Sequence, residues 1–365
     1  MILLITIALS LLYAILLFLL LVGFFRTLNR QETSVAVDGV SVIVAFRDER
    51  LNLPELIRSF NSQALPHSPW EVIFVDDNSS DDSSAFIKSV PINFKFRLIQ
   101  LSGLGGKKHA IIEGVKNSSY SLIAITDADC VPSQSWLASL VRNPDCVLIQ
   151  RPVIVDASKS VVNMFEALDY ASLMAVSVGS FGLGRPVIAA SANLAFRKDA
   201  ISVDDKTLRS DIPSGDDMFL LHTAKKQKNG RLVFDLHPHG FVNTKFDAGF
   251  NGFIRRRKRW ASKALGYTDT DTIAVGLVVL LFNLWIVLLV LLLLLGYSSV
   301  YNLLIAMLVK AVMDFPLLFV FLKRTNQVKL MLVFLPLQFI YPLYISYSAI
   351  AGLFGGQFWK GRQIN

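Results

Sequence analysis

The sequence predicts an α/β protein whose doubly wound sheet is inserted between an N-terminal transmembrane helix and a C-terminal helical transmembrane region. Two observations carry this expectation. Apolar runs long enough to cross a bilayer lie towards both ends, and between them short β-branched runs alternate with helix-like stretches. Composition agrees: with 365 residues, 53% hydrophobic and 18% charged, the chain is too apolar for an ordinary soluble protein and too polar to be membrane throughout.

The first element is a near-continuous apolar run from Ile2 to Phe25, broken only by Thr6, Ser10, Tyr13 and Gly23. At about 1.5 Å per residue it spans a hydrocarbon core of about 30 Å. A cleaved signal peptide would need a basic segment before a shorter core and a small-residue cleavage site after it; here Arg26 and Arg30 follow instead, so residues 1–25 read as an uncleaved anchor. After Asp271 come runs at Thr272 to Leu295, Val300 to Leu322 and Leu330 to Phe354, which make residues 272–354 a membrane region of about three spans. Residues 26–254 form the soluble domain, 255–271 a basic interfacial segment and 355–365 a tail. Basic residues at Arg26, Arg30, Arg255 to Lys263, Lys323, Arg324 and Lys329 all fall on the domain's side, which places that domain in the cytoplasm. Pro336 and Pro342 suit a re-entrant hairpin in the last run. Lys310 and Asp314, four apart inside a membrane run, suit mutual neutralisation, although charge at that depth also flags function.

Within the soluble domain, Val40 to Phe46, Trp70 to Val75 and Ser121 to Thr126 are short β-branched runs that read as buried parallel strands. Helix-like stretches at Asn52 to Gln63 and Lys107 to Lys116 separate them, giving the β-α-β-α-β order of a doubly wound sheet, whose ligands sit at the carboxyl ends of the strands. There the sequence sets Arg47, Asp48 and Glu49, then Asp76, Asp77 and Asn78, then Asp127 and Asp129. Neither GxGxxG nor GxxxxGK[ST] occurs, which argues against dinucleotide and P-loop sites. The net charge of +8 comes without a nucleic-acid motif and concentrates beside membrane segments, so it points to anionic lipid. Two cysteines, Cys130 and Cys146, support neither a disulfide framework nor a zinc site.

Asp127-Ala128-Asp129 puts two carboxylates on one side of an extended backbone, suited to a hard cation that binds a diphosphate. Asp76 or Asp77 suits a nucleobase or ribose contact, and the same stretch equally suits a helix N-cap. Gly103 to Lys108, with Lys107, offers a phosphate or sugar contact or simply a loop entering a basic helix. Asp216 and Asp217 before an apolar helix suit a general base or an acidic first turn. Arg256 to Trp260 suits headgroup contact, or a diphosphate clamp with an aromatic floor. His237 and His239 alternate on what reads as a strand, without a third metal ligand.

Taken in order, VIVAFRDE, VDDNSSD, GKKHA, TDADC, GDDMFL and RRKRW resemble the membrane-integrated family 2 glycosyltransferases of GT-A fold. The resemblance covers residues 40 to 265 and extends to ceramide glucosyltransferases and, less closely, to cellulose, chitin and hyaluronan synthases. It implies that Ala45, Arg47 and Glu49 line the nucleotide pocket, that Asp77 or Asp76 binds the base, and that Asp127 and Asp129 hold the nucleotide sugar and Mg²⁺ or Mn²⁺. It further implies Asp217 as catalytic base and Arg256, Arg259 and Trp260 as the (Gln/Arg)-x-x-Arg-Trp motif. Arg256 stands where polysaccharide synthases carry Gln, Gly-Asp-Asp replaces their Thr-Glu-Asp, and Trp359 to Arg362 is similar to the tail of lipid glycosyltransferases. Asn193 lies in a segment similar to one near the family's acceptor site. The implied activity is inverting transfer from a nucleotide sugar, a UDP-hexose, to a membrane lipid; the alternatives are a processive polysaccharide synthase and a non-catalytic nucleotide-binding scaffold. With three candidate spans after the domain, room for a translocation channel is short, which favours the lipid.

Overall fold

The structure is a computed structural model and describes residues 1–30, 37–64, 68–103, 105–141, 146–157, 160–212, 214–246, 249–354, 357–359 and 362–364. In chain order the strands are β1 (Val40–Phe46), β2 (Trp70–Asp76), β3 (Phe96–Gln100), β4 (Leu122–Ile125), β5 (Cys130–Pro132), β6 (Cys146–Gln150), β7 (Val153–Asp156), β8 (Leu194–Arg197), β9 (Arg231–Phe234), β10 (Val242–Lys245), β11 (Gln357–Trp359) and β12 (Arg362–Ile364). The helices are α1 (Ile2–Leu28), α2 (Leu53–Asn61), α3 (Ser83–Ser89), α4 (Lys107–Lys116), α5 (Trp136–Leu140), α6 (Val161–Gly182), α7 (Asp205–Leu208), α8 (Asp216–Gln227), α9 (Gly249–Ser262), α10 (Thr270–Leu294), α11 (Val300–Arg324) and α12 (Phe334–Phe354). They form two compact units, one of residues 30–156, 189–245 and 357–365, the other of residues 1–29, 157–188 and 246–356.

The first unit is built on a seven-stranded sheet ordered β3-β2-β1-β4-β8-β6-β9. Strands β3, β2, β1 and β4 run parallel, as expected for the three strands read from sequence, while β8 runs antiparallel to both β4 and β6. The sheet is therefore mixed. Strand β1 is buried along nearly its whole length, so it needs a continuous apolar run, and that run is what made it visible. Strand β3 and helix α3 were missed. As an edge strand, β3 leaves Phe96 and Arg97 exposed and offers no such run. Strand β3 leads into the glycine-rich turn at Gly103. Against the sheet, Ile73, Val75 and Ala110 of α4 make a buried cluster joined by Ala45, Ile99 and Leu101. A smaller sheet, β5-β10-β7, carries the segment after Asp129. His237 and His239 do not alternate on a strand: Pro238–Gly240 is a 3-10 turn, with the two rings 5.1 Å apart.

The second unit is helical. Five helices among the described residues are long and apolar enough to cross a membrane: α1, α6, α10, α11 and a run from Val328 to Gly352. Large apolar side chains on their outer faces, including Leu4, Leu11, Phe18, Leu294 and Leu308, are exposed, which is the surface of a membrane protein. Helix α6 was not anticipated as a membrane-type element. It follows β7 and precedes β8, yet β6 pairs with β8 and β7 pairs with β10. A single crossing by α6 would put hydrogen-bonded strands on opposite sides of a bilayer, so α6 does not act as a lone span. Instead it packs on α1 with almost no space between backbones: a Cβ at Gly23 would lie 2.0 Å from the Gly179 carbonyl oxygen, and one at Gly182 would lie 1.8 Å from that of Gly23. The expected hairpin at Pro336 and Pro342 is instead one helix, α12, with Pro342 inside it; Pro336 lies in the first turn, where a missing N–H costs no hydrogen bond. Of the tail motif, Lys360 and Gly361 lie outside the described residues.

The intramembrane pair is realised. Lys310 donates to Asp314 (2.5 Å) and to Gln338 of α12 (2.9 Å), and Tyr13 of α1 donates to the other oxygen of Asp314 (2.5 Å). One carboxylate thus ties three helices through a satisfied network. Asp314→Leu alone, which leaves the Lys310 ammonium buried without its counter-charge, is expected to cost about 3–5 kcal/mol, and the double change Lys310→Met/Asp314→Leu much less. Thermal unfolding in detergent of the two variants beside the wild type checks this; equal losses would mean that the pair does not act as a unit.

Candidate functional site

The acidic residues singled out in the sequence gather at the carboxyl ends of β1, β2 and β4. At the end of β1, Arg47 donates to the Asp77 carbonyl (3.3 Å), and the Asp48 carboxylate accepts from the Ser80 N–H (2.6 Å). Glu49 is buried and accepts from Asn52 (2.6 Å), while its N–H is bound by Ser83 (3.0 Å). Ala45 sits in β1 opposite Val75. These contacts tie the loop after β1 to the loop after β2. Of the two carboxylates at the end of β2, Asp76 is spent locally on the Ser79 N–H (2.8 Å) and on the Ser84 hydroxyl. Asp77, fully buried, accepts instead from the Gly106 N–H (2.8 Å) and so links β2 to the glycine-rich turn.

Gly106 takes φ 125°, a conformation that side chains resist, and from it α4 begins at Lys107. The Lys107 ammonium lies 2.6 Å from Asp127, 2.7 Å from the Ser191 hydroxyl and 3.7 Å from Asp216. Burial works against its charge, but the carboxylates of Asp127 and Asp216, with a further contribution from Asp217, outweigh that and hold its pKa well above the ordinary lysine range. The next residue, Lys108, is buried and donates to the carbonyls of Arg209 (2.8 Å) and Ile212 (2.7 Å), which fixes the segment leading to α8. Gly215, at φ 89°, caps α8, whose first residues are Asp216 and Asp217. The nearly buried Asp216 faces Lys107; Asp217, less buried, accepts from the Met218 N–H (2.8 Å).

Whether a cation fits can be judged from the donors present. Ligand atoms of Asp127, Asp129 and Cys130 lie within 4.8 Å of one another. Burial, then the charges of Asp129 and Asp127, push the Cys130 thiol well above its usual pKa, which disfavours a thiolate donor beside the two carboxylates. Two carboxylates on an open edge suit a hard cation such as Mg²⁺ or Mn²⁺ rather than zinc.

Arg256, Arg259 and Trp260 belong to the helical unit, on α9. There Arg256 makes a two-pronged pair with Glu166 of α6 (both bonds 2.7 Å), and Arg257 pairs with Asp169, which also accepts from the Tyr344 hydroxyl. The Arg257 guanidinium lies 4.7 Å over the Trp260 ring, and Tyr170 of α6 approaches the same ring at 5.8 Å. Glu166 and Asp169 were missed by sequence reasoning, although two acids three apart in an otherwise apolar stretch are a usable signal. Asn193 is buried and used up internally: it accepts from Trp136 Nε1 (2.9 Å) and donates to the carbonyls of Pro152 and Gly240 (2.8 Å each).

Comparison with known proteins adds the following. The family model described as glycosyl transferase family group 2 matches residues 122–345, and the one described as glycosyl transferase family 2 matches residues 41–160. A poly-beta-1,6-N-acetyl-D-glucosamine synthase of Staphylococcus epidermidis is 24% identical over 247 residues, 65% of this chain and 57% of the relative. The synthase of the same name from Staphylococcus aureus strain COL is 24% identical over 142 residues, 38% of this chain and 34% of the relative. The chain thus spans between about a third and a little over half the length of the curated relatives it matches. Among solved structures, a mannosyltransferase of Pyrobaculum calidifontis in complex with GDP-Man and Mn²⁺ superposes with a TM-score of 0.55 at 17% identity, covering 96% of this chain and 97% of that one. The likeness is one of fold, and it bears out the GT-A architecture expected from the sequence.

If the strand-end carboxylates hold a divalent ion, Asp129→Ala should bind Mn²⁺ at least about tenfold more weakly than the wild type, as loss of one charged ligand implies. Electron paramagnetic resonance of free Mn²⁺ during titration measures this, and unchanged affinity would remove Asp129 from the ligand set.

Proposed function

We propose, taking as premise that the chain belongs to the family 2 glycosyltransferases, that it moves a sugar from a nucleotide sugar onto a growing glycan at the cytoplasmic face of a membrane. One observation carries the donor half of this reading: Lys107, Asp127 and Asp216 converge beside the cation-suited pair Asp127 and Asp129, at the strand ends where a doubly wound sheet binds ligands. A nucleoside diphosphate needs such positive charge. A divalent ion at Asp127 and Asp129 would supply neutralisation of the departing diphosphate. Ala45, Arg47, Glu49 and Asp77 are proposed to line the nucleotide pocket, with Asp76 in a supporting role because its carboxylate is taken by Ser79 and Ser84.

In the proposed chemistry, Asp217 takes the proton of the acceptor hydroxyl as its oxygen attacks the anomeric carbon, and the nucleoside diphosphate leaves from the opposite face with inversion. The roles of Arg259 and Trp260 towards diphosphate and acceptor are proposals resting on the family resemblance. Arg256 is bound by Glu166 on both prongs, so we assign it to positioning α9. The distribution of charge supports the cytoplasmic placement: Arg26 ends α1, and Lys323 with Arg324 ends α11.

For the acceptor, relatives named as polysaccharide synthases weigh more than the short span count that favoured a lipid. Membranes containing the protein, given radiolabelled UDP-N-acetylglucosamine, are expected to yield label in high-mass, water-phase material. A label recovered only as a singly glycosylated, solvent-extractable lipid would restore the lipid acceptor. Asp217→Asn should leave nucleotide-sugar affinity in place while lowering the transfer rate by about two to four orders of magnitude. Parallel loss of affinity and rate, or a larger effect from Asp216→Asn, would take the role of base from Asp217.

A further inference from the structure

We propose that Lys107 is a resident counter-cation of the metal site, so that a divalent ion binds weakly alone and enters together with a nucleoside diphosphate. This inference rests on the donor-site reading above and concerns the order in which that site fills.

The Lys107 ammonium touches the same carboxylate, Asp127, that the cation pair requires, at 2.6 Å. A carboxylate that already holds an ammonium at that distance is a weaker ligand for a second cation, because the ammonium offsets its charge and the two positive charges repel. The ammonium's other nearby acceptors are Ser191 at 2.7 Å and Asp216 at 3.7 Å. A metal arriving alone must therefore either share Asp127 with the ammonium against their mutual repulsion or displace it, leaving Lys107 with the Ser191 hydroxyl and the longer pair with Asp216.

A diphosphate changes that balance. Its oxygens offer the ammonium a stronger acceptor than Ser191, and they bring the negative charge that lets Lys107 and a divalent ion share one site. The displacement needs little motion of the backbone. Lys107 is the first residue of α4, the Gly106 N–H before it is fixed by Asp77, and the side chain carries its charge on a flexible four-carbon stem. Metal and nucleotide affinities are then positively coupled, and the coupling runs through Lys107.

The same geometry would also arise if Lys107 were only a structural ion pair that never lets go. The two readings predict opposite signs when the charge is removed. Mn²⁺ binding to the full chain in detergent is measured by electron paramagnetic resonance, with and without UDP, for the wild type, Lys107→Met and Lys107→Arg. In Lys107→Met, affinity for Mn²⁺ alone should rise by about tenfold or more, the low end of what an ion pair at that spacing is worth in a partly buried setting. Affinity for UDP at saturating Mn²⁺ should fall, and the enhancement of Mn²⁺ binding by UDP should shrink. Lys107→Arg should keep the wild-type order. Ser191→Ala, a milder change that loosens the hold on the ammonium, should give a smaller rise in Mn²⁺ affinity and serves if Lys107→Met fails to fold. Unchanged or weakened Mn²⁺ binding in Lys107→Met and Ser191→Ala, with UDP still bound by the wild type, overturns the counter-cation role and leaves the donor site standing. If the wild type binds no Mn²⁺ even with UDP, the metal site itself is refuted and this proposal with it.

Discussion

Carboxylates gathered on one edge of a sheet repel, and the α/β unit is arranged around that constraint. Asp127, Asp129, Asp216 and Asp217 come from a strand end and a helix start far apart in sequence, and Lys107 is the charge that lets the first and third of them face one site. Its position depends in turn on Gly106, whose backbone conformation turns the chain into α4, and on Asp77, which holds the Gly106 N–H. Asp77 is placed by β2, and the neighbouring Lys108 clamps the carbonyls of Arg209 and Ile212 before α8. Each support is itself an obligatory hydrogen-bonding group that burial forces to find a partner.

The helical unit answers the same constraint in a harsher solvent. Glu166 and Asp169 lie in an otherwise apolar helix and Lys310 and Asp314 in another, and each is matched by an opposite charge: Arg256, Arg257 and the Lys310–Asp314 pair. Matching the α6 acids with two neighbouring arginines of α9 has a geometric consequence. It fixes both the height and the rotation of α9 against α6, and with them the ring of Trp260 against Tyr170 and Arg257. Two charge pairs one residue apart on a helix leave it little freedom to slide, since a slip would unpair both buried acids.

How much of this could be read in advance follows from what each element must bury. Strands β1, β2 and β4 lie inside the sheet, need continuous apolar runs and were visible; β3, on the edge, has no such need and was not. The start of α4 at Lys107 was legible because glycine and a basic residue punctuate it. Asp127 and Asp129 announced themselves by spacing, yet nothing in local sequence told that Asp216 would sit near Lys107 or which of Asp76 and Asp77 its own loop would consume. Helix α6 was hidden for another reason: its run is less apolar than the other four, carries Glu166 and Asp169, and falls between strands of one sheet. The proline argument for a hairpin failed because a membrane helix tolerates Pro342 and because Pro336 sits in a first turn.

This division also explains why the donor was easier to infer than the acceptor. Donor recognition rests on contiguous motifs at strand ends, each a few residues long and each with its own physical reason for acid or base. The motif residues Arg256, Arg259 and Trp260 all lie on α9, but the partners that hold that helix come from α6, with α12 adding Tyr344 against Asp169, and they become neighbours only by folding. Short motifs cannot carry that information: Arg256 reads identically whether its guanidinium meets a diphosphate or Glu166, and only the partner on α6, some ninety positions away, decides between the two. Where chemistry depends on such long-range pairing, the residues that identify it are the buried acids: the spacing of Glu166 and Asp169 in an apolar run marks them as buried, but only the fold says which cation each meets.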